Sequence, residues 1–415
     1  MSAVWHPFTQ HGLNEPIPLV THGEGAALHT ADGRRIVDAI SSWWVTTHGH
    51  RHPRITAAIA EQAGRLDQVI FAGWTHEPAE RLADALVRLT GGALPRVFYS
   101  DSGSTAVEVA LKMALGYWLN RGEPRHRILT LEHGYHGDTI GTMSVGARGV
   151  FNRAYAPLLF DVGALPFPRG DGQATLDALE AACREGPAAL VVEPLVLGAG
   201  GMLFYPPAML AAMRAICTRH GVPFIADEVM SGWGRTGTLL ACEQAGVVPD
   251  ILCLSKGLTG GVIPLAVTLA SEAIYQAHLS EDRGRMLFHS SSYTANPIAC
   301  AAAVANIAVW DEEPVRDRIA TLAARQEARL AALPATARNR RRLGTIAACE
   351  LGPADGGYLS ALAPALLAFF RERDLLLRPL GDTVYVMPPY CIDEDDLDRV
   401  YAAIAEAAER FAGGL

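Results

Sequence analysis

Lysine is nearly absent from this chain. Of the 35 Lys and Arg residues in 415, only two are lysines, Lys112 and Lys256, so any chemistry that needs a side-chain amine has two candidates. Charge is sparse at 19% of residues, and a net charge of −9 leaves no basic face to neutralise phosphates, which argues against a nucleic-acid partner. The seven cysteines (183, 217, 242, 253, 300, 349 and 391) contain no CxxC pair, as expected of reduced, mostly buried thiols. No GxxxxGK[ST] loop and no strand-coupled GxGxxG occur, so a P-loop kinase and a dinucleotide site both lack their residues. The start, MSAVWHPFTQHGLNEP, has neither the basic nor the apolar region of a signal peptide. Between Glu193 and Arg214 lie 20 uncharged residues, enough to span a bilayer, but Gly198, Gly200, Gly201, Pro206 and Pro207 break any single helix there. A soluble cytoplasmic protein with no membrane partner is expected.

What is present is ample apolar material: half the residues are hydrophobic, and 415 residues suggest two or three folding units. From about 60 to 305, apolar strand-like runs alternate with helical patterns. The runs are RVFYS (96–100), RILTL (127–131), ALVVE (189–193), VPFIADE (222–228), DILCLS (250–255) and PLAVTLAS (264–271); segments such as 105–118 and 207–219 carry apolar residues at helical spacing. This alternation predicts an α/β fold, a large domain with a mostly parallel sheet wrapped by helices. After 305 come an Ala/Arg-rich helix (314–332), short strands near 343–350 and 383–387, and a last helix opened by the Asp-rich 393–398. The expected division is an N-terminal segment (1–47) joining a small α+β domain (306–415), with the large domain at 48–305. The basic run RNRRR (338–342) reads as a solvated turn.

Ligands of open α/β sheets bind beyond the carboxyl ends of the strands, so the polar residues that follow each run matter most. After RVFYS stands Asp101-Ser102-Gly103-Ser104-Thr105, small residues opening a helix, a fit for a phosphate; Thr105 and Glu108 fit a capping box. After VPFIA stands Asp227, a carboxylate that needs a cation or donor at a buried strand end. After DILCLS stands Lys256 in a Gly-rich turn, where burial lowers an amine's pKa and makes it nucleophilic. Lys112 falls inside the helical segment 105–118 and reads as a surface residue. A phosphate cup, an Asp and, 29 residues later, a Lys make a pyridoxal-phosphate site in this order: cup for the phosphate, Asp for the pyridine nitrogen, Lys for the aldehyde.

The motifs IADEVMSGWGRTG (225–237) and DILCLSKGLTGG (250–261) resemble the class III pyridoxal-phosphate-dependent aminotransferases of fold type I. WHPF (5–8), SSWW (41–44), SDSGSTAVEVALKMA (100–114), HGYHGDT (133–139), EPLVLGAGGM (193–202), SYTANPIACAAA (292–303) and RP followed by YVMPPY (378–390) resemble the branch that aminates 8-amino-7-oxononanoate in biotin biosynthesis. The resemblance implies pyridoxal 5′-phosphate as cofactor, small-molecule substrates with S-adenosyl-L-methionine as the amino donor, and a homodimer with active sites at the subunit interface. It implies that Lys256, Asp227 and Tyr135 are catalytic and that Gly103 and Ser104 cradle the phosphate, with Ser291 and Ser292 reaching it from the neighbouring subunit. Tyr135 would stack on the ring with Asp138 in support, although Asp138 fits a loop cap equally. Trp43 would line a channel for a long apolar substrate, Arg378 would bind its distal carboxylate, and Arg235, Ser290 and Phe8 would lie on the substrate side.

Phe8 stands where the family has a tyrosine, Ser290-Ser291-Ser292 where some members read Gly-Pro-Thr, and Met230 where broader members carry Gln. The first two bear on the amino donor. Trp43-Trp44 is otherwise a core pair, and the run of His48, His50 and His52 sits in a turn with no Cys or carboxylate cluster to complete a metal site. His133 and His136 read as loop residues near the cofactor. The alternatives are a broader ω-amino acid or amine–pyruvate aminotransferase and a catalytically silent cofactor-carrying protein.

Overall fold

Apolar runs of four or five residues, rich in Val, Ile, Leu and Ala, pair into one seven-stranded sheet. In a computed structural model that describes residues 3–353 and 362–414, the strand order is Arg96–Ser100, Ala266–Ala270, Ile251–Leu254, Phe224–Asp227, Ala189–Val192, Ile128–Leu131 and Gly163–Leu165. All run parallel except Ala266–Ala270, which is antiparallel to both neighbours. The four central strands from Ala266–Ala270 to Ala189–Val192 are buried along their whole length, as a sheet covered on both faces requires. This is the expected α/β architecture.

The register places the chemistry. Asp227 pairs with Cys253 on the adjacent parallel strand, so Lys256, three residues further on, leaves the sheet at the same edge as Asp227. At that edge the helix Gly103–Asn120 begins. Its cap differs from the expected Thr105–Glu108 pair: Ser102 Oγ accepts from the Thr105 N–H at 3.2 Å, and Thr105 Oγ1 accepts from the Ser102 N–H at 2.9 Å. Ser102 has the extended backbone that a cap needs, whereas Thr105 is already helical. Glu108 instead accepts from the Thr139 hydroxyl at 2.6 Å and the Gly141 N–H at 2.8 Å.

Among the described residues, two smaller sheets, of four and three strands, and one short hairpin lie outside the seven-stranded sheet. One joins Val20–Glu24, Ala27–Thr30 and Arg35–Asp38 to Leu375–Leu376, so the N-terminal segment pairs with a strand from beyond residue 370. Arg35 adds a double hydrogen bond to Asp396 in the last helix, Glu394–Arg410, at 2.8 and 2.6 Å. The other sheet contains Arg338–Leu343, Ile346–Glu350 and Thr383–Val386. The basic run is thus an edge strand, against the expected solvated turn. Its arginines bond to backbone carbonyls: Arg340 to those of Ala331, Pro334 and Ala337 just past a helix end, and Arg341 to those of Gly201 and Met202. Charge that is satisfied this way lies comfortably on an edge strand.

The uncharged run after Glu193 folds as a hairpin, Val196–Leu197 with Leu203–Phe204, and then the helix Pro207–His220. Among the described residues no helix is long and apolar enough to cross a membrane.

Candidate active site

Lys256 stands alone between an extended strand and a tight turn. Its φ is +48°, a left-handed conformation that costs a non-glycine residue about 1–3 kcal/mol and persists only where the surroundings impose it. The amine nitrogen lies 4.9 Å from the centre of the Trp44 ring. Burial lowers its pKa to about 8; Asp227 and Glu193 pull it back up and Arg235 pushes it further down. The result is an amine that gives up its proton far more readily than an exposed lysine.

Asp227 lies beneath, 5% exposed. One carboxylate oxygen pairs with His136 Nδ1 at 2.8 Å, and the other accepts the Val229 N–H at 3.1 Å. Burial works against a charge on His136, but the Asp227 carboxylate and Glu193 outweigh it, and its pKa is raised. Glu193 accepts from the Tyr135 and Gly198 N–H groups at 2.9 and 3.0 Å. Burial pushes it up to about 7, against the pull of His136. The site floor is therefore a line of coupled groups: Glu193, His136, Asp227.

Around Lys256 is a cavity of about 140 Å³ whose wall includes Gly103, Ser104, Tyr135, Asp227 and Trp44. Gly103 and Ser104 are the first residues of the 18-residue helix, whose opening N–H groups have no partner within the helix. A side chain at Gly103 would strike Val229 Cγ1 at 2.6 Å, so that cup admits only glycine. Tyr135 is partly buried, and its hydroxyl is held protonated by burial and by neighbouring Asp138. Asp138 itself is exposed, its N–H donating to Ser104 Oγ at 3.2 Å.

These residues fit pyridoxal phosphate: an amine for the aldehyde, a buried carboxylate paired with His136 for a protonated pyridine nitrogen, and a helix opening for the phosphate. Among the described residues no group of three or more His, Cys, Asp or Glu is placed to hold a metal ion. The histidines of HGHRHP go separate ways: His50 to Asp38 at 2.8 Å, His52 to Glu313 at 3.1 Å, and His48 into the core.

Tyr135 and Gly137 also wall a second, more apolar cavity of about 300 Å³ with Met143, Ala147, Val150 and Phe151. Phe151 meets the edge of Phe8 at 6.0 Å between ring centres, and Phe8 meets Trp43 at 5.6 Å. The Arg378 guanidinium lies 5.2 Å from the Trp43 ring and 5.9 Å from Phe8. The two cavities share Tyr135 and Gly137, and Arg378 stands with Phe8 and Trp43 beside Phe151 of the second one.

The sequence profile of the family described as aminotransferase class-III matches residues 9–408. The chain belongs to the class III aminotransferases. It is 48% identical over 419 residues to the adenosylmethionine-8-amino-7-oxononanoate aminotransferase of Synechococcus elongatus, covering 97% of each chain. It is 41% identical to the protein of the same name from Nitratidesulfovibrio vulgaris, covering 99% of this chain and 82% of that one. The crystal structure of adenosylmethionine-8-amino-7-oxononanoate aminotransferase from Methanocaldococcus jannaschii superposes with a TM-score of 0.93 at 31% identity, covering 99% of this chain and 97% of that one. An amine transaminase from an uncultivated Pseudomonas species, crystallised in its PLP-bound form, superposes with a TM-score of 0.91 at 32% identity, covering 99% of both chains.

Within this aminotransferase, Lys256, Asp227, Tyr135, Gly103 and Ser104 converge on one cavity, while Trp43, Phe8 and Arg378 form a separate outer cluster. Of the Trp pair, it is Trp44 that walls the Lys256 cavity; Trp43 is 42% exposed in the outer cluster. A φ of +66° at Trp44 turns the two rings to opposite destinations. Arg235 is fixed by main-chain carbonyls. It is 1% exposed, and its guanidinium donates to the carbonyls of Thr46 at 2.9 Å and Pro388 at 3.1 Å, bracing the backbone beside Trp44. Ser290, Ser291 and Ser292 lie outside the Lys256 cavity, on a loop held by Thr294 and by Gln68, which donates to the Ser292 carbonyl at 2.8 Å. Lys112 is exposed and donates to the Phe288 carbonyl at 2.6 Å. Sequence reasoning missed the pairing of His136 with Asp227 and the placement of Glu193; the only signal was their position just after strands.

Proposed function

We propose that this aminotransferase converts 8-amino-7-oxononanoate to 7,8-diaminononanoate in biotin biosynthesis, with pyridoxal 5′-phosphate as cofactor and S-adenosyl-L-methionine as amino donor. The observation that carries the reading is the apolar cavity that shares Tyr135 with the Lys256 cavity and is walled by Phe151, against which Phe8, Trp43 and Arg378 cluster: a nine-carbon acid with its ketone near Lys256 would lay its chain on these rings and its carboxylate at the guanidinium. The names of the relatives agree with it.

Bound pyridoxal phosphate supplies an aldehyde that accepts the donor's nitrogen and a ring that withdraws electrons from the reacting carbon. Lys256 would hold the cofactor's aldehyde, and its Nζ, with a lowered pKa at the strand end, would accept and return the proton of the reacting carbon. Asp227, paired with His136, would stabilise a positive ring nitrogen. Tyr135 would lie against the ring, and the helix opening at Gly103 and Ser104 would anchor the phosphate. Overall the donor's amino nitrogen is exchanged for the ketone oxygen at C7: water enters as the donor leaves as its oxo compound, and water is released as C7 takes the nitrogen.

The functional unit of this reading is a cytoplasmic homodimer. Ile70, Trp74, Phe288 and Tyr293 are each more than 60% exposed, and the last two flank Ser290–Ser292, which supports contact of that loop with a neighbouring subunit's phosphate cup. Similarity to the Pseudomonas amine transaminase, together with Phe8, favours one second reading, a broader amine–oxo acid exchange. The purified enzyme is given the oxononanoate with S-adenosylmethionine, lysine or alanine, and diaminononanoate is measured by mass spectrometry. Formation with adenosylmethionine foremost is expected; equal turnover of a carboxylate-free amine with pyruvate would replace the reading with the second.

A further inference from the structure

Beneath the Lys256 turn lies a buried polar group that the chemistry above does not use. Asn306, in the helix Pro297–Glu312, is wholly buried. Its carboxamide nitrogen donates to the carbonyl of Gly257 at 3.0 Å and to that of Leu258 at 3.0 Å, the two residues directly after Lys256. Its carboxamide oxygen faces His48, whose ring is packed between His52, Trp310 and Tyr390. Space for this contact is made at Gly260, where an added Cβ would lie 3.2 Å from Asn306 Oδ1. One side chain thus fixes two successive carbonyls of a turn whose first residue has a left-handed φ. A buried hydrophobic residue of the same size would take this donor from the Leu258 carbonyl and leave the Gly257 carbonyl with the Gly260 N–H alone.

We propose that Asn306 is a positioning residue for Lys256, clamping the carbonyls of Gly257 and Leu258 so that the lysine is held in its strained conformation with its amine over the Asp227 edge. This rests on the reading of Lys256 as the reactive amine. Without the clamp the turn relaxes toward ordinary backbone angles, and the amine samples positions further from Trp44 and closer to water. The groups that face it, Asp227, Glu193 and Arg235, then act on it from altered distances.

With only two lysines, the test is unusually clean. Reductive methylation with carbon-13 labels Lys112, Lys256 and the terminal amine of the full-length, cofactor-free chain, and Lys112→Arg assigns the signals. In Asn306→Ala the proton affinity of Lys256 should rise about tenfold and its resonance should move, while Lys112 stays unchanged. A folded Asn306→Ala protein whose Lys256 titration and chemical shift match the unaltered chain overturns the proposal. Should that variant not fold, Asn306→Asp reads the same clamp: its neutral carboxyl donates to one carbonyl, its ionised form repels both, and the Lys256 signal should gain a second pH step. Absence of that step overturns the proposal equally. No turnover is required, so retained transamination in Lys256→Ala would sink the reading of the lysine and leave the clamp result standing.

Discussion

The floor and the rim of the site are built by different means. At the floor, Asp227 and Lys256 leave adjacent parallel strands, and His136 and Glu193 follow two more strands of the same sheet, so register and burial set their geometry. At the rim, Phe8, Trp43, Phe151 and Arg378 come from four separate stretches, with rings 5.6 and 6.0 Å apart and the guanidinium 5.2 and 5.9 Å from two of them. Phe8 is 49% exposed, whereas Asp227 is 5% exposed. A sheet edge cannot shift one residue without moving its neighbours, so it suits chemistry shared by a whole family. A loop cluster can change one residue at a time, so it suits the choice of substrate.

The comparison breaks first, if anywhere, at Lys256. Lys256→Ala should lower transamination by about 10⁴-fold or more, read as loss of donor-driven product, because Lys112 is exposed and tied to Phe288. A residual rate near that of the unaltered enzyme would move the chemistry off the floor. At the rim, Arg378→Ala should raise KM for the oxononanoate by about 10- to 100-fold while the donor half-reaction keeps its rate. Equal losses in both halves would make the rim part of the chemistry.

A third test asks how far floor rigidity extends below the turn. His48 is buried and its pKa is lowered to about 3, by burial and by neighbouring His52. The folded protein keeps it neutral while the unfolded chain takes up a proton below about 6.5, so stability should fall as pH drops from 6.5 toward 3. His48→Phe, which keeps the ring contacts, should flatten that decline by several degrees of Tm between pH 6.5 and 4. An unchanged acid profile would show that other groups set it. The smallest effect belongs to Phe8→Tyr: a restored hydroxyl at the exposed rim should change KM for the amino donor by less than about tenfold and leave kcat unaltered. A large change in kcat would place Phe8 with the floor.

Much of the floor was legible because it depends on local order. Each of Asp227 and Lys256 ends an apolar run, and the small residues 102–105 open a helix after another; adjacency in a parallel sheet does the rest. What could not be read were pairings across distance. His136 and Asp227 are 91 residues apart, and nothing in HGYHGDT tells which histidine turns inward. Trp43 and Trp44 differ by one position and by a backbone angle. GWGRTG likewise gives no hint that the carbonyls bonded by Arg235 come from residues 46 and 388.

By itself the sequence determined the supply of parts: strands by apolar runs, a helix opening by small residues, and an amine by near-exclusion of lysine, since an always-charged guanidinium cannot do the work of Lys256. Tertiary structure decided their state. Whether a lysine is a neutral base near pH 8 or an exposed cation depends on how much water it loses and which charges face it, and those neighbours are brought together from across the chain only by folding.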